Sequence, residues 1–266
     1  MRLQGKVVFL SDADSPSGRA ILVRLSEEGA SLLLISDSNG ADIAEELELC
    51  RARGTSALVD RVDLCDGDQI GRLLDRTERT LGPVDVLVHN RSLVLPTSVE
   101  SCDERTFDES LNVNAKSAFI ASQAIGARMA ARGAGTIIFV GSIHAEKPTG
   151  SAFAYSAAKG AVQMLSREAS LALGRHGINV NHIQMGPVRG DDAVFRSDIS
   201  TLYEDYEYKV PSTELATYRD LASLIVYLSG DEAKHLNGAD IRLDGGFLNH
   251  YLDIKMNMPS SGGESS

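Results

Sequence analysis

Residues 6–36 read KVVFLSDADSPSGRAILVRLSEEGASLLLIS, a long amphipathic run between two short apolar ones. The apolar runs Lys6–Ser11 and Ser31–Ser36 predict strands, and the helical spacing of apolar residues within Ser17–Glu28 predicts the helix that joins them. Because the strands are apolar at consecutive rather than alternate positions, we expect both faces of their sheet to be covered. A strand, a crossover helix and a second buried strand predict a parallel pair.

The same alternation continues along the chain to residue 243. It predicts an α/β fold, in which a doubly wound parallel sheet is flanked by helices on both faces. We expect a single domain over residues 1–250, followed by a tail over 251–266 whose final PSSGGESS is typical of disorder. Further strands are predicted at Ser56–Val62, Val84–His89, Thr136–Gly141, Asn179–Gln184 and Asp240–Leu243, and further helices at Ala41–Arg53, Gly67–Leu81, Phe107–Arg132, Phe153–Gly174 and Tyr218–Ser229.

Composition narrows the class of partner. The 266 residues carry a net charge of −11, which argues against nucleic acid and against anionic membrane surfaces. The three cysteines, Cys50, Cys65 and Cys102, form no metal-binding pattern, and their odd number fits a reducing compartment. The N-terminal apolar run is too short for a signal peptide, and no stretch is long and apolar enough for a membrane span. A cytoplasmic location is therefore expected.

Tyr155 and Lys159 are the strongest chemical signal. Their spacing of four on a predicted helix puts both side chains on one face. A phenol is a poor acid or base at neutral pH, and a neighbouring ammonium group favours its phenolate form. Such a pair alone is more often a solvated helix face. Here, however, Ser142 ends a predicted strand, at the edge of the sheet where parallel α/β folds bind ligands. Asn114 lies inside a predicted helix, although asparagine has a low helix propensity.

Asn114, Ser142, Tyr155 and Lys159 resemble the catalytic tetrad of the short-chain dehydrogenase/reductase family. The resemblance implies a Rossmann-like fold and hydride transfer between a nicotinamide cofactor and a secondary alcohol or its ketone. It covers residues 6 to 246 and includes the segments GINVN at 177–181, GPV at 186–188 and DGG at 244–246.

The resemblance also implies a role for each member of the tetrad. Tyr155 passes a proton to or from the substrate oxygen, and Ser142 hydrogen-bonds that oxygen as charge develops on it. Lys159 favours the phenolate and holds the nicotinamide ribose. Asn114 anchors a water that links Lys159 to solvent, the alternative being an amide satisfied locally by backbone. Cofactor contacts are assigned to Ser11, Asp12, Ser15, Ser17, Gly18, Asp37, Asp63, Asn90, Tyr155, Lys159, Gly186 and Val188.

The loop after the first strand departs from the family pattern, Thr-Gly-x-x-x-Gly-x-Gly. Residues 11–18 read SDADSPSG, so only Gly18 remains of the three glycines. Asp12 adds a carboxylate near the expected diphosphate, and Pro16 removes a backbone donor. Proline is tolerated in the first turn of a helix, and Ser15 or Ser17 is a candidate cap. The helix N-terminus still favours phosphate, so the site is predicted to be altered rather than abolished.

The residues after the second strand favour NAD over NADP. Asp37 lies where an acid commonly binds the adenosine ribose, one position after the usual place, which is Ser36. No arginine adjoins it in sequence to receive a 2′-phosphate. The segment HNRS at 89–92 replaces the family's Asn-Asn-Ala-Gly, and Arg91 is a candidate ion-pair partner of Asp12, with a solvent-facing side chain as the alternative. Asp63 matches a residue that contacts adenine, or is only a turn aspartate.

Several alternatives remain open at this level. Residues 190–213 are either a substrate-binding lid or a mobile surface loop. His144, in the loop after Ser142, either favours an anionic or polyol substrate or is merely solvated. The two long predicted helices resemble those that build family tetramers, and their small residues suit close packing, so a homotetramer is expected. The altered glycine loop also permits a cofactor-impaired binding or regulatory protein, and the same scaffold permits dehydration, epimerisation or enoyl reduction. The small residues in question are Ala127, Ala130, Ala161 and Ala169.

Overall fold

Seven parallel strands form a single sheet in the order β3-β2-β1-β4-β5-β6-β7. The computed structural model describes residues 1–189 and 210–250. Most of the predicted substrate loop and the whole predicted tail therefore lie outside the described residues. The strands are β1 (Val7–Leu10), β2 (Ser31–Ile35), β3 (Ala57–Asp60), β4 (Val86–His89), β5 (Gly135–Ser142), β6 (Ile178–Met185) and β7 (Asp240–Leu243).

Helices cover both faces of this sheet, as the consecutive apolar residues of the strands predicted. Leu32 and Leu34 of β2 face one layer, whereas Leu33 and Ile35 face the other. The first layer holds α1 (Pro16–Glu27), α2 (Ala44–Ala52) and α7 (Tyr218–Ser229), and the second holds α3 (Gly67–Thr80), α5 (Ser117–Arg132) and α6 (Phe153–Gly174). The doubly wound α/β fold is thereby confirmed.

One helix is less regular than the sequence predicted. The expected helix Phe107–Arg132 begins earlier, as α4 (Glu104–Leu111), and passes through a π-helical turn at Asn112–Lys116 before α5. Such turns insert an extra residue into a helix and occur often at functional sites. Asn114 lies in the middle of this turn. The poor fit of asparagine to a regular helix was the sequence signal for it.

Within residues 1–189 and 210–250, no helix has the length and apolarity that crossing a bilayer requires. The same residues contain no cluster of side chains that could hold a metal ion, and all three cysteines are free.

Candidate active site and cofactor cleft

The candidate site residues lie at the carboxyl edge of the sheet, most of them just after β1, β4 and β5. The chain leaves β1 toward β2 on one side and continues through β4 on the other, so this edge is the topological switch point where α/β sheets bind ligands. Two cavities open there. One of about 180 Å³ lies beside Ser142 and Tyr155, and another of about 410 Å³ lies beside Asp37 and Asp63. Residues of the 90–92 segment line both.

Three of the four predicted catalytic side chains share the smaller cavity. Ser142 ends β5, and Tyr155 and Lys159 lie one turn apart near the start of α6. The Lys159 ammonium lies 5.4 Å from the centre of the Tyr155 ring, and Ser92 Oγ lies 3.4 Å from the phenol oxygen. The i,i+4 spacing has placed the phenol and the amine on one face of α6, and the end of β5 adds the Ser142 hydroxyl to the same cavity.

Lys159 is buried, with only 1% of its surface exposed. Its Nζ donates to the carbonyl oxygens of Arg91, at 3.2 Å, and Val140, at 3.4 Å. Burial lowers the pKa of this amine from its ordinary 10.5 to about 7, because the charged form loses its hydration. The amine is thus poised between its charged and neutral forms near neutral pH.

Asn114 does not line this cavity but holds the segment beside it. Its Oδ1 accepts from the backbone N–H of Leu93 at 3.0 Å, and its Nδ2 donates to the carbonyls of Leu93 and Ser110, both at 2.9 Å. The side-chain amide is therefore satisfied by backbone, as the alternative reading of this residue held. Since Lys159 binds the carbonyl of Arg91, two residues earlier, both side chains position the same short segment.

His144 lies in the interior beside Tyr155 and Ser142, which makes it part of the candidate site. It is buried with its ring edge-on to Tyr155, at 5.5 Å between centroids, and its backbone N–H donates to Ser142 Oγ at 3.2 Å. Burial lowers the pKa of the imidazole to about 4, so it is neutral at physiological pH. Burial rules out the solvated alternative for His144, and its neutral imidazole gives no charge attraction to an anionic substrate. The sequence did not indicate its inward position because that position depends on a 3₁₀ turn over Ile143–Ala145.

The altered loop still delivers a capped helix N-terminus to the smaller cavity. Ser15 is the N-cap of α1, accepting from Gly18 N at 3.1 Å, and Pro16 occupies the first turn, as predicted. A Cβ at Gly18 would overlap the carbonyl oxygen of Asp12, which explains why this one glycine remains. Ser15, Pro16 and Ser17 all line the cavity.

Asp12 accepts from Ser15 N at 3.2 Å, so its carboxylate uses a donor at the helix N-terminus. Burial raises the pKa of Asp12, and Arg91 partly opposes that rise. Asn90 fixes the loop to the end of β4, since its side chain bonds the backbone N–H and carbonyl of Asp12 at 3.0 and 2.8 Å. Ser11 is buried, and its hydroxyl lies 3.2 Å from Asn90 Oδ1.

Arg91 joins two acids across the cleft. Its Nη2 lies 2.5 Å from Asp37 Oδ2, and its Nη1 lies 3.9 Å from Asp12 Oδ2. The predicted pair with Asp12 is present but is the weaker of the two, and the solvent-facing alternative is wrong. The prediction that no arginine adjoins Asp37 holds in sequence and fails in space, because Arg91 comes from a loop 54 residues away.

The remaining predicted cofactor residues lie around these two cavities or support them. Asp63 lines the larger cavity and accepts from Cys65 N at 2.8 Å, which is the geometry of a turn aspartate. Gly186 lines the smaller cavity, and a Cβ there would lie 2.5 Å from the Cα of Asp244. Val188 is buried and forms an isolated bridge with Ala216.

Asp14 is a residue that the sequence did not single out. Its Oδ1 accepts from the hydroxyls of Ser36, at 2.7 Å, and Ser38, at 3.2 Å, and its Oδ2 accepts from Ser38 N at 3.0 Å. A carboxylate from the first loop is thereby held at the carboxyl end of β2. Its only sequence signal was a serine at position 36, where the family usually has an acid.

Comparison with known proteins agrees with this geometry. A family model described as "Enoyl-(Acyl carrier protein) reductase" matches residues 14–248. A "Short-chain type dehydrogenase/reductase" of Picea abies is 29% identical over 92% of this chain and 93% of its own length. An "NADP-dependent (R)-specific alcohol dehydrogenase" of Lentilactobacillus kefiri is 30% identical over 92% and 98%. Among solved structures, a short-chain dehydrogenase/reductase from Serratia marcescens superposes with a TM-score of 0.82 and 28% identity, covering 93% of this chain and 99% of that one.

Proposed function

This chain belongs to the short-chain dehydrogenase/reductase family, and from that premise we propose that it is an NAD-dependent oxidoreductase acting on a secondary alcohol or its ketone. One observation carries the proposal: Ser142, Tyr155 and Lys159 surround a single cavity at the switch point of the sheet. A protein that kept this fold but had lost catalytic activity would not need a phenol, an amine and a hydroxyl around the same cavity.

Tyr155 is the proposed acid/base, and it exchanges a proton with the substrate oxygen at its phenol. Ser142 Oγ accepts a hydrogen bond from His144 N, so the hydroxyl keeps its own hydrogen to donate to the same oxygen. Lys159, fixed by two carbonyls, presents its remaining donor capacity toward the cavity. The neutral, edge-on His144 ring limits where Tyr155 can move.

The residues present fit a nicotinamide dinucleotide. When bound, that cofactor supplies or accepts the hydride. Its phosphates would lie at the N-terminus of α1, where Ser15 and Ser17 line the smaller cavity, and Gly18 keeps that approach open. Its adenosine half would lie in the larger cavity, beside Asp63. Arg91 lies 3.9 Å from Asp12 and so offsets the carboxylate that the altered loop adds.

NAD is preferred over NADP on grounds of charge. Asp12, Asp14 and Asp37 all lie on the loops that would surround the adenosine ribose, and Arg91 is already paired with two of these three acids. Arg61 is a second arginine at the larger cavity, which Asp37 and Asp63 also line. A further phosphate dianion would be repelled there. The Lentilactobacillus kefiri relative is named as NADP-dependent, so the ratio of the NADH and NADPH dissociation constants is the measurement that tests this preference.

The test is a pair of measurements on wild type and Tyr155→Phe. Titration of NADH is expected to give enhanced nicotinamide fluorescence with both proteins. Turnover of secondary alcohols is expected to fall at least about 100-fold in the variant, the usual contribution of a positioned acid/base. Equal turnover would refute the role of Tyr155, and a wild type that binds no dinucleotide would favour a binding or regulatory protein. Activity on enoyl substrates alone would point to enoyl reduction.

We further propose a homotetramer in the cytoplasm that binds neither nucleic acid nor membrane. Of the four small residues predicted for the interface, Ala130, Ala161 and Ala169 pack partly on the core of their own chain. Larger apolar side chains are exposed on α5 and α6 instead, and they support burial by further copies of the chain. These are Phe119, Phe153, Met164 and Leu171.

A further inference from the structure

We propose that Asp14, rather than Asp37, is the acid that recognises the unphosphorylated adenosine ribose and so selects NAD. The inference rests on the proposed NAD-dependent function and assigns its specificity to one side chain. In dinucleotide-binding α/β folds, this acid stands at the carboxyl end of the second strand, where it accepts a hydrogen bond from a ribose hydroxyl. Here that place belongs to Ser36, which has no carboxylate.

The structure puts a carboxylate at this place from another part of the chain. Ser36 is fully buried, and its hydroxyl donates to Asp14 Oδ1 at 2.7 Å. Ser38 adds its hydroxyl and its backbone N–H, at 3.2 and 3.0 Å. Three bonds from two residues fix the orientation of the Asp14 carboxylate. Ser36 and Ser38, which follow β2, therefore hold an acid supplied by the loop after β1, and we call these two serines the mount of Asp14.

The mount leaves Asp14 able to bind a further donor. A carboxylate offers about four lone-pair positions. Oδ1 takes two of the three bonds and Oδ2 takes one, so one position on Oδ2 remains. No ion pair involves Asp14 among residues 1–189 and 210–250. Its negative charge is thus available to accept from a hydroxyl and to repel a phosphate.

Asp37 differs from Asp14 in its charge environment. Its carboxylate is paired with Arg91 at 2.5 Å, and more than half of its side-chain surface is exposed. The arginine offsets the charge that would exclude a 2′-phosphate. Asp37 is therefore paired with an arginine, whereas the carboxylate of Asp14 is held by two serines and forms no ion pair within the described residues.

The experiment is a comparison of dissociation constants for NADH and NADPH, measured by fluorescence titration at fixed ionic strength. Asp37→Asn is made together with Arg91→Ala, so that the ion pair is removed as a unit and no unpaired arginine attracts the 2′-phosphate, whereas Asp14→Asn is made in the wild-type background. Asp42→Asn in the same background is the control, because Asp42 is an exposed acid nearby whose carboxylate binds no described residue.

We expect Asp14→Asn to lower the ratio of the NADPH to the NADH dissociation constant at least about tenfold, since a charge-assisted hydrogen bond is lost and a repulsion removed. Asp37→Asn and Asp42→Asn are expected to leave that ratio within about twofold. Ser36→Ala, which removes one bond of the mount, should lower it by an intermediate factor.

A larger change in the ratio for Asp37→Asn than for Asp14→Asn would overturn the inference and leave the proposed function standing. An unchanged ratio in Asp14→Asn, with both cofactors still bound, would do the same. Wild-type protein that binds neither dinucleotide would instead contradict the proposed function itself, and the inference with it.

Discussion

Replacing Lys159 with methionine should make the stability of the protein less dependent on pH. In the folded protein the pKa of this buried amine is about 7, against 10.5 in its ordinary state. Between those two values the unfolded chain holds a proton that the folded chain lacks. The free energy of unfolding therefore rises with pH there, by up to about 1.4 kcal/mol per pH unit. Below about pH 7 both states are protonated, and the cost of burying the cation is fully present.

The assay is urea unfolding at fixed protein concentration, at about pH 7.5 and about pH 9.5. Over that interval Lys159 should contribute a gain of about 2–3 kcal/mol to wild type and none to Lys159→Met. The variant also removes the donor to the carbonyls of Arg91 and Val140, which adds an offset that does not depend on pH. The free energy of unfolding of wild type should therefore increase relative to that of Lys159→Met as pH rises. Lys234→Met, at an exposed lysine, is the control and should track wild type.

A difference between wild type and Lys159→Met that stays constant across the interval would refute this reasoning. It would mean that the amine keeps its proton in the folded protein over the whole range, and that burial does not govern its titration.

Three further outcomes follow from the geometry. Gly18→Ala should lower the free energy of urea unfolding by about 1–3 kcal/mol, because its Cβ would overlap the carbonyl of Asp12. Gly71→Ala, in an open helical position, is the control and should raise that free energy by about 0.5–1 kcal/mol. Equal effects of the two substitutions would contradict the close approach at Gly18. Arg91→Ala should weaken NADH and NADPH alike by exposing the charge of Asp12, and a selective loss of NADPH in fluorescence titration would assign the arginine to a 2′-phosphate instead. Light scattering at micromolar concentration should give the mass of four chains, and a monomer mass would exclude the proposed assembly.

Local patterns were enough to predict the fold and the catalytic grouping. The predicted strands match the seven observed ones within a few residues. The signal is clearest for the central strands, because a strand buried on both faces is apolar at consecutive positions. Likewise, the i,i+4 spacing of Tyr155 and Lys159 and the strand-end position of Ser142 are properties of single elements. The topology of a parallel sheet then brings those elements to one edge.

Charge pairing between loops could not be predicted in the same way. Arg91, Asp37 and Asp12 come from three loops, and a long side chain can reach any of several neighbours. Asp14 was overlooked for a related reason, since its position depends on hydroxyls after the next strand, from Ser36 and Ser38. Distances along the chain carry no information on such contacts.

The π-helical turn at Asn112–Lys116 makes the surrounding helix sensitive to insertions and deletions. A residue added to a regular helix rotates everything before it by about 100°, and this turn absorbs one such step between α4 and α5. On either side of the turn, α4 packs on α6, and α5 packs on α3 and α6. Deleting one residue here would restore an ordinary helix and swing Ser110 out of line with its neighbours. The π-helical turn therefore sets the angular relation between the faces of α4 and α5.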